Sequence, residues 1–405
     1  MVKMNVNADL HIHSKYSAAT SEMMDLDTIA AEARRKGIHI VGTGDALHPV
    51  WLENLRRLPE RDGILWHNGM IGFVVTAEVE DSEGVHHLIL IPDLSKAEEL
   101  REIFRKSSSN IDTDGRPRVL LSGAEIADVC LEADCIIGPS HAFTPWTGIF
   151  AHHRSLKECY GDRVEDITFI ELGLSADSDY ADRISELRDR TFLSNSDGHS
   201  PWSNKLGREF NQFDLREISF NEIRLAIERR SGRRPLLNVG FYPEEGKYNR
   251  TACTRCYRQY TMQEMDELQG RCGCGGSIKL GVRDRVEILA DLPQPVHPDH
   301  RPPYIHIIPL AEIIAMALGH KSVFTAGVRK IWSDLVSERT EIDVLLRTDI
   351  SELNADERVA RAIEAFRSGD VVVTPGGGGR YGRISLPPPG TRSRKVPFQR
   401  SLLDF

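Results

Sequence analysis

The chain has no run of about 18 apolar residues long enough to cross a bilayer, and residues 1–9 lack the apolar stretch that a secretory signal needs. Both absences point to the cytoplasm. Basic residues are not in excess. The formal net charge is minus 9 over 405 residues, which argues against a protein that grips nucleic acid with its whole surface. Local grip stays open, because Arg229, Arg230, Arg233 and Arg234 form a basic cluster readable as a nucleic-acid contact or as the solvated end of a helix. Evenly paired cysteines are missing as well. Of seven, Cys130, Cys135 and Cys159 are scattered and four crowd between Cys253 and Cys274. That distribution excludes a disulfide scaffold and suggests three buried thiols plus one metal-held knuckle. The glycines at 376–379 have no following Lys-Ser/Thr, so they read as a turn and not as a phosphate loop. There is no internal repeat.

What the first 235 residues do contain is an alternation of apolar strand-like runs with helical patterns, the signature of a parallel α/β architecture. Leu26, Ile29, Ala30 and Ala33 have helical spacing, Asp25 or Asp27 can cap the start, and Gly37 can end the helix. Ser122 and Glu125 form a capping box for another helix. Strands are predicted at 38–43, 72–77, 88–92, 135–138, 167–172 and 191–194. Past these lie a Cys, Gly, Arg and Tyr-rich module (236–290), a mostly helical region with a terminal hairpin (291–386), and a Pro, Ser and Arg-rich flexible tail (387–405).

Histidines and carboxylates gather at the predicted strand ends: His11 and His13, Asp45 and His48, Glu78, His86 and His87, His141, Glu171, and Asp197 and His199. Imidazole and carboxylate are the ligand types of Zn2+, Mn2+ and Fe ions. In a barrel of alternating strands and helices, the carboxyl-end loops converge on one face, so residues distant in sequence meet there. A closed or nearly closed barrel therefore explains the spacing better than an open sheet. His11 and His13 flank one residue and point to the same side, Glu78 can bridge two ions, and adjacent His86 and His87 face opposite ways. Glu171 is either a ligand or a carboxylate that orients a histidine. Clustered ions of this kind suit phosphoester hydrolysis by metal-bound water.

Order, spacing and strand-end placement from Asp9 to His199 resemble the polymerase and histidinol phosphatase (PHP) superfamily, with D-L-H-x-H-S at the start and D-x-H at the end. The resemblance implies a distorted (β/α)7 barrel of class α/β. It would put His11, His13, Glu78 and Asp197 on a first ion, Glu78 and His141 with His86 or His87 on a second, and Asp45, His48 and His199 on a third. Two departures bear on the third ion: Ala46 and Leu47 separate Asp45 from His48, and Lys15 stands where relatives often supply a ligand. Two or three Zn2+, with Mn2+ or Mg2+ as alternatives, are expected, and Asp197, Glu78 and His199 carry the catalysis.

Cys253-x2-Cys256 with Cys272-x-Cys274 is a structural zinc pattern. Arginines interleaved with Tyr248, Tyr257 and Tyr260 suit nucleic acid. Lys205 and Arg208, close behind Asp197 and His199, can hold flanking phosphates, and Phe143, Trp146 and Trp202 are candidates to stack on an extruded base. Together with H-H-L-I-L, S-D-G-H-S-P and K-L-G-R-E, these features resemble the endonuclease Q family over nearly the whole chain. That likeness implies cleavage of DNA on the 5′ side of uracil, hypoxanthine, xanthine and abasic sites, in a nucleoid-associated cytoplasmic enzyme. A small-molecule phosphatase of the histidinol-phosphatase kind is the rival reading. Gln399, Leu402 and Phe405 look like a peptide that binds a PCNA-type sliding clamp.

Overall fold

The computed structural model describes residues 3–388. Apolar runs become strands where both faces are covered: β1 (Met4–Asp9), β2 (Ile40–Gly42), β3 (Glu60–Arg61), β4 (Ile64–His67), β5 (Ile71–Glu80), β6 (His86–Ile91), β7 (Ile136–Pro139), β8 (Phe169–Glu171) and β9 (Thr191–Leu193). β1 pairs in parallel with β2, β2 with β5, and β8 with β9. The circle continues from β7 to β8 through Ala142 N donating to Glu171 O (2.7 Å), and it closes on β1 through the Ile12–Gly198 bridge. This is a distorted seven-stranded barrel, with β3 and β4 forming a side hairpin on β5.

One strand departs from the all-parallel expectation. β6 runs antiparallel to both β5 and β7, because residues 81–85 are too few for a parallel crossover, which needs a dozen residues or so. A tight turn takes their place: Asp81 Oδ1 accepts from Glu83 N (2.8 Å) and Val85 N (2.9 Å), and Gly84 has φ 92°. As a result His86 opens its strand yet lies at the same barrel face as the end of β5.

Local signals in the sequence act as their chemistry requires. Asp25 caps the helix Leu26–Lys36 by accepting from Thr28 N, and Gly37 ends it in the left-handed conformation at φ 90°. The fully buried Ile29 on its inner face contributes roughly 1.5–3 kcal/mol. Ser122 and Glu125 form the full capping box.

The sheet extends past residue 235. β10 (Phe210–Leu215) pairs with β1, and β11 (Arg234–Gly240) pairs with β10. Asn211 stitches this layer to the end of β9, accepting from Ser194 N (2.9 Å) and donating to Ser194 O (2.8 Å). Then β12 (Ala252–Cys253) and β13 (Ile278–Lys279) form the ribbon of the cysteine module, and β14 (Tyr304–His306) returns to pair with β11. Helices Leu310–Leu318, Ala326–Leu335, Glu341–Leu346 and Glu357–Ser368 follow, and β15 (Val372–Thr374) with β16 (Arg383–Ser385) makes the hairpin. Its glycine turn packs on the cysteine module: a Cβ on Gly378, at φ 66°, would sit 2.2 Å from Cys253 O. No helix among the described residues is long and apolar enough to cross a membrane.

A buried ion pair joins the helical region to the barrel. Lys36 Nζ donates to Glu341 Oε1 (2.8 Å), which also accepts from Leu310 N (3.1 Å), while Glu341 Oε2 accepts from Trp332 Nε1 (2.5 Å). Glu341→Gln leaves the buried ammonium unpaired and is expected to lower unfolding free energy by roughly 3–5 kcal/mol. Lys36→Met combined with Glu341→Gln is expected to recover most of that loss in denaturant unfolding, and a double variant no more stable than Glu341→Gln would refute this account.

Candidate metal-dependent active site

His11 and His13 follow the carboxyl end of β1, Glu78 lies near the end of β5, His86 opens β6, and His141 and Asp197 stand just beyond β7 and β9. Their side chains meet. His13 Nε2 lies 3.2 Å from Asp197 Oδ1 and 3.4 Å from Glu78 Oε2, and His11 Nε2 lies 3.6 Å from Glu78 Oε1 and 4.0 Å from Asp197 Oδ1. Ligands about a tetrahedral zinc, with bonds near 2.0–2.1 Å, are about 3.3–3.4 Å apart. His11 Nε2, His13 Nε2, Glu78 Oε2 and Asp197 Oδ1 are all buried and lack hydrogen-bond partners. His11, His13 and Glu78 form one grouping that fits a metal ion, and Asp197 adjoins it through His13. A second set shares Glu78: His86 Nδ1 is 3.1 Å and His141 Nε2 2.9 Å from Glu78 Oε1. His199 joins His13 and Asp197 in a third grouping, with its ring 4.4 Å from that of His13.

The electrostatics favour positive charge at the centre. Burial opposes a charged His11, but Glu171 and Glu78 outweigh it and hold the imidazole well above its usual range. Burial likewise opposes ionised Glu78, yet His86 and His11 hold it well below the usual carboxylate range. His86 is pushed up to about 9, burial pulling it down and Glu78 pulling it up more.

Asp45 and Glu171 stand one layer out. Asp45 Oδ1 accepts from His13 Nδ1 (3.0 Å), while its Oδ2 accepts from Ser14 N and Oγ (2.5 and 2.6 Å). Glu171 Oε2 accepts from His11 Nδ1 (2.8 Å) and His141 N (2.9 Å). Each carboxylate fixes a ring so that its Nε2 faces the centre. Asp45, His141 and Asp197 have φ of 51°, 30° and 47°, a region that non-glycine residues seldom occupy and that clusters at functional sites.

Not every expected residue arrives. Asp45, His48 and His199 are not brought together, because Asp45 is held by His13 and Ser14 while His48 precedes the helix Pro49–Leu55 and stacks on Tyr16 at 4.5 Å. Of the adjacent pair, His86 faces the site and His87 faces away, bonded to Tyr160 Oη (2.8 Å) and Asp81 Oδ2 (3.1 Å). Arg208 donates to Ser196 O (2.9 Å), bracing the Asp197 loop, and Lys205 is half-buried. The three aromatics separate. Phe143 is buried beneath Trp146 in a pocket of about 400 Å3 shared with Tyr248, Lys279 and Arg285 of the cysteine-module side. Trp202 lines a different groove with Phe324 and Trp332 of the helical region. Gln399, Leu402 and Phe405 lie outside the described residues.

Two residues received no role from the sequence. Asp9 staples the Asp197 loop from below, accepting from Ser196 N (3.0 Å) and Gly207 N (2.9 Å), and its burial raises it to about 6. Arg116 reaches Glu78 from a long loop, where only the D-G-R-P string marks it. In the cysteine module, Cys253 Sγ and Cys274 Sγ are 3.5 Å apart, as are Cys256 Sγ and Cys272 Sγ. The four sulfurs gather in one group, so the cluster suits a thiolate-bound zinc.

Because Glu171 orients rather than crowds the centre, Glu171→Gln is expected to weaken active-site metal affinity about 10- to 100-fold without changing the metal held by the cysteines. Metal titration followed by elemental analysis checks this, and unchanged affinity would remove Glu171 from its orienting role.

Residues 309–370 match the family described as the MJ0043 C-terminal domain. The protein MJ0043 of Methanocaldococcus jannaschii is 43% identical over 256 residues, a match that covers 61% of this chain and 32% of that protein. The lesion-specific endonuclease PfuEndoQ of Pyrococcus furiosus superposes with a TM-score of 0.90 at 47% identity, covering 95% of this chain and 96% of that one. Endonuclease Q in complex with a 27-mer duplex bearing an abasic lesion at its active site also superposes at 0.90, with 46% identity over 97% and 100% of the two chains. With such identity along essentially its whole length, and with the metal-binding face built as described, the chain belongs to the endonuclease Q family.

Proposed function

We propose that this chain is a DNA repair endonuclease that hydrolyses the phosphodiester on the 5′ side of uracil, hypoxanthine and xanthine and at abasic sites, working at the nucleoid. The observation that carries the reading is the near full-length likeness to endonuclease Q bound to lesion-bearing duplex. The orphaned donor set supports it from the side of the chemistry. His11, His13, Glu78 and Asp197 would hold one ion, and Glu78, His86 and His141 a second. Bound there, such ions supply a water deprotonated near neutral pH and a clamp on the phosphoryl oxygens.

The remaining chemistry belongs to the chain. Asp45 and Glu171 keep the imidazoles of His13 and His11 turned inward, so the site needs little reorganisation when substrate enters. His199 stands beside His13 and Asp197, placed to ligate or to relay a proton. Trp146, 56% exposed, lines a pocket with Phe143, Tyr248 and Lys279 and would offer a flat face to an extruded base. Unstacking a damaged or mispaired base costs less than unstacking a normal one, so a pocket that demands extrusion selects lesions.

The test uses duplexes carrying a single deoxyinosine or deoxyuridine, undamaged duplex, and histidinol phosphate. Nicking confined to the lesion strands, abolished by chelator and by Asp197→Asn, is the expected result. Equal nicking of undamaged duplex, or turnover of histidinol phosphate alone, overturns the reading. For the tail, we propose that Gln399, Leu402 and Phe405 dock a PCNA-type clamp. Removal of residues 399–405 is expected to abolish capture by such a clamp while nicking continues, and undiminished capture refutes it.

A further inference from the structure

Residues 105–122 link the helix Leu94–Phe104 to the helix Gly123–Glu132 with no strand or helix of their own, a length at which irregular segments in folded domains are usually functional. The segment is nevertheless laced to the end of β5, to the loop after β1 and to itself. Glu80 N donates to Pro117 O (3.0 Å), Val119 N to Glu80 O (2.8 Å), Gly115 N to Tyr16 O (3.0 Å) and Arg116 N to Asp114 Oδ1 (3.1 Å). Gly115 runs flush against the site: a Cβ there would lie 2.4 Å from the carboxyl carbon of Asp45. On the other side Pro117 restricts the residue before it to extended backbone. Arg116, held between them, turns its guanidinium inward, with Nη1 3.5 Å from Glu78 Oε2.

Two roles are open to a cation in that position, counter-charge for Glu78 or clamp for substrate. Charge decides between them. With ions bound, Glu78 would need no further partner, and the guanidinium beside it would add positive charge to the site. A phosphodiester supplies the missing negative charge, and the planar guanidinium fork matches two phosphoryl oxygens, which a lysine does not.

We propose that Arg116 is a catalytic residue of this site that contacts a non-bridging oxygen of the scissile phosphate and stabilises the charge that builds there. The inference rests on the phosphodiesterase reading given above. Water adds to phosphorus, the P–O3′ bond breaks and the 3′ oxygen takes up a proton, while Arg116 neither gives nor receives one.

The experiment titrates inorganic phosphate by calorimetry into metal-loaded wild-type protein, Arg116→Gln and Arg116→Lys, with metal content and thermal midpoint recorded for each. The expected result is phosphate binding about tenfold or more weaker in Arg116→Gln, with Arg116→Lys intermediate and metal content unchanged. On lesion duplex, kcat is expected to fall about 10²- to 10³-fold with little change in KM, and free guanidinium should restore part of the activity of Arg116→Ala. Unchanged phosphate affinity in Arg116→Gln overturns the inference. So does a loss of bound metal that parallels the loss of activity, since Arg116 would then serve Glu78 alone. If wild-type protein leaves damaged DNA intact while phosphate binding still depends on Arg116, the substrate reading fails and the phosphate contact stands.

Discussion

Glu78 is held ionised at 1% exposure, and the rest of the barrel face is arranged to make that tolerable. Taking one carboxylate out of water costs several kcal/mol even after relaxation, and the apolar strand around it offers nothing in return. Compensation comes from groups on four separate segments: His11, His13, His86, His141 and Arg116 all lie within 3.6 Å of its oxygens. Barrel closure brings the first and last strands together beside it. The short turn at 81–85 folds β6 back so that His86 arrives at the same end. A crossover long enough for a parallel strand would have moved His86 to the opposite face of the barrel.

Gathering imidazoles around one carboxylate is not sufficient, because each ring must also present the correct nitrogen. Glu171 and Asp45 settle this from behind by accepting from Nδ1 of His11 and His13. Glu171 additionally accepts from the backbone N–H of His141, so a single carboxylate positions members of both ligand sets. The backbone gives way to these demands at Asp45, His141 and Asp197, all with positive φ. Such conformations cost of order 1–3 kcal/mol each and persist only where the surroundings over-determine them. Here those surroundings include Asp9 under the Asp197 loop and Arg208 across it.

Much of this was readable from the chain because the signals are local. The Asp25 and Ser122 caps, the Gly37 terminator and the H-x-H pair are each decided within a few residues. The opposite facing of His86 and His87 follows from strand alternation alone, though alternation cannot say which of them turns inward. What was not readable depends on pairing at long range. Antiparallel β6 and the added strands β10, β11 and β14 are set by partners far away in sequence. The separation of ligating from orienting carboxylates is likewise a matter of one or two ångströms in three dimensions. Asp45 and Glu171 are strand-end carboxylates like Asp197, and the hydrogen bonds to Nδ1 distinguish them. Arg116 was hidden for the same reason, since a D-G-R-P string in a long loop carries no sign of which way its arginine points.

The metal face alone would serve any small phosphoester, so the kind of substrate must be decided by what walls it. Two of the loops that carry candidate ligands continue into exposed aromatics: His141 leads to Trp146 and His199 to Trp202. Trp146, at φ 83°, sits against Tyr248 and Lys279 of the cysteine module, at 5.8 and 5.4 Å. Trp202 instead lines a groove with the helical region. Both additions therefore meet the loops that leave the metal-binding face, and the Lys36–Glu341 pair anchors the helical one to the barrel. A long, charged substrate with aromatic parts suits both surroundings, and duplex DNA has that character.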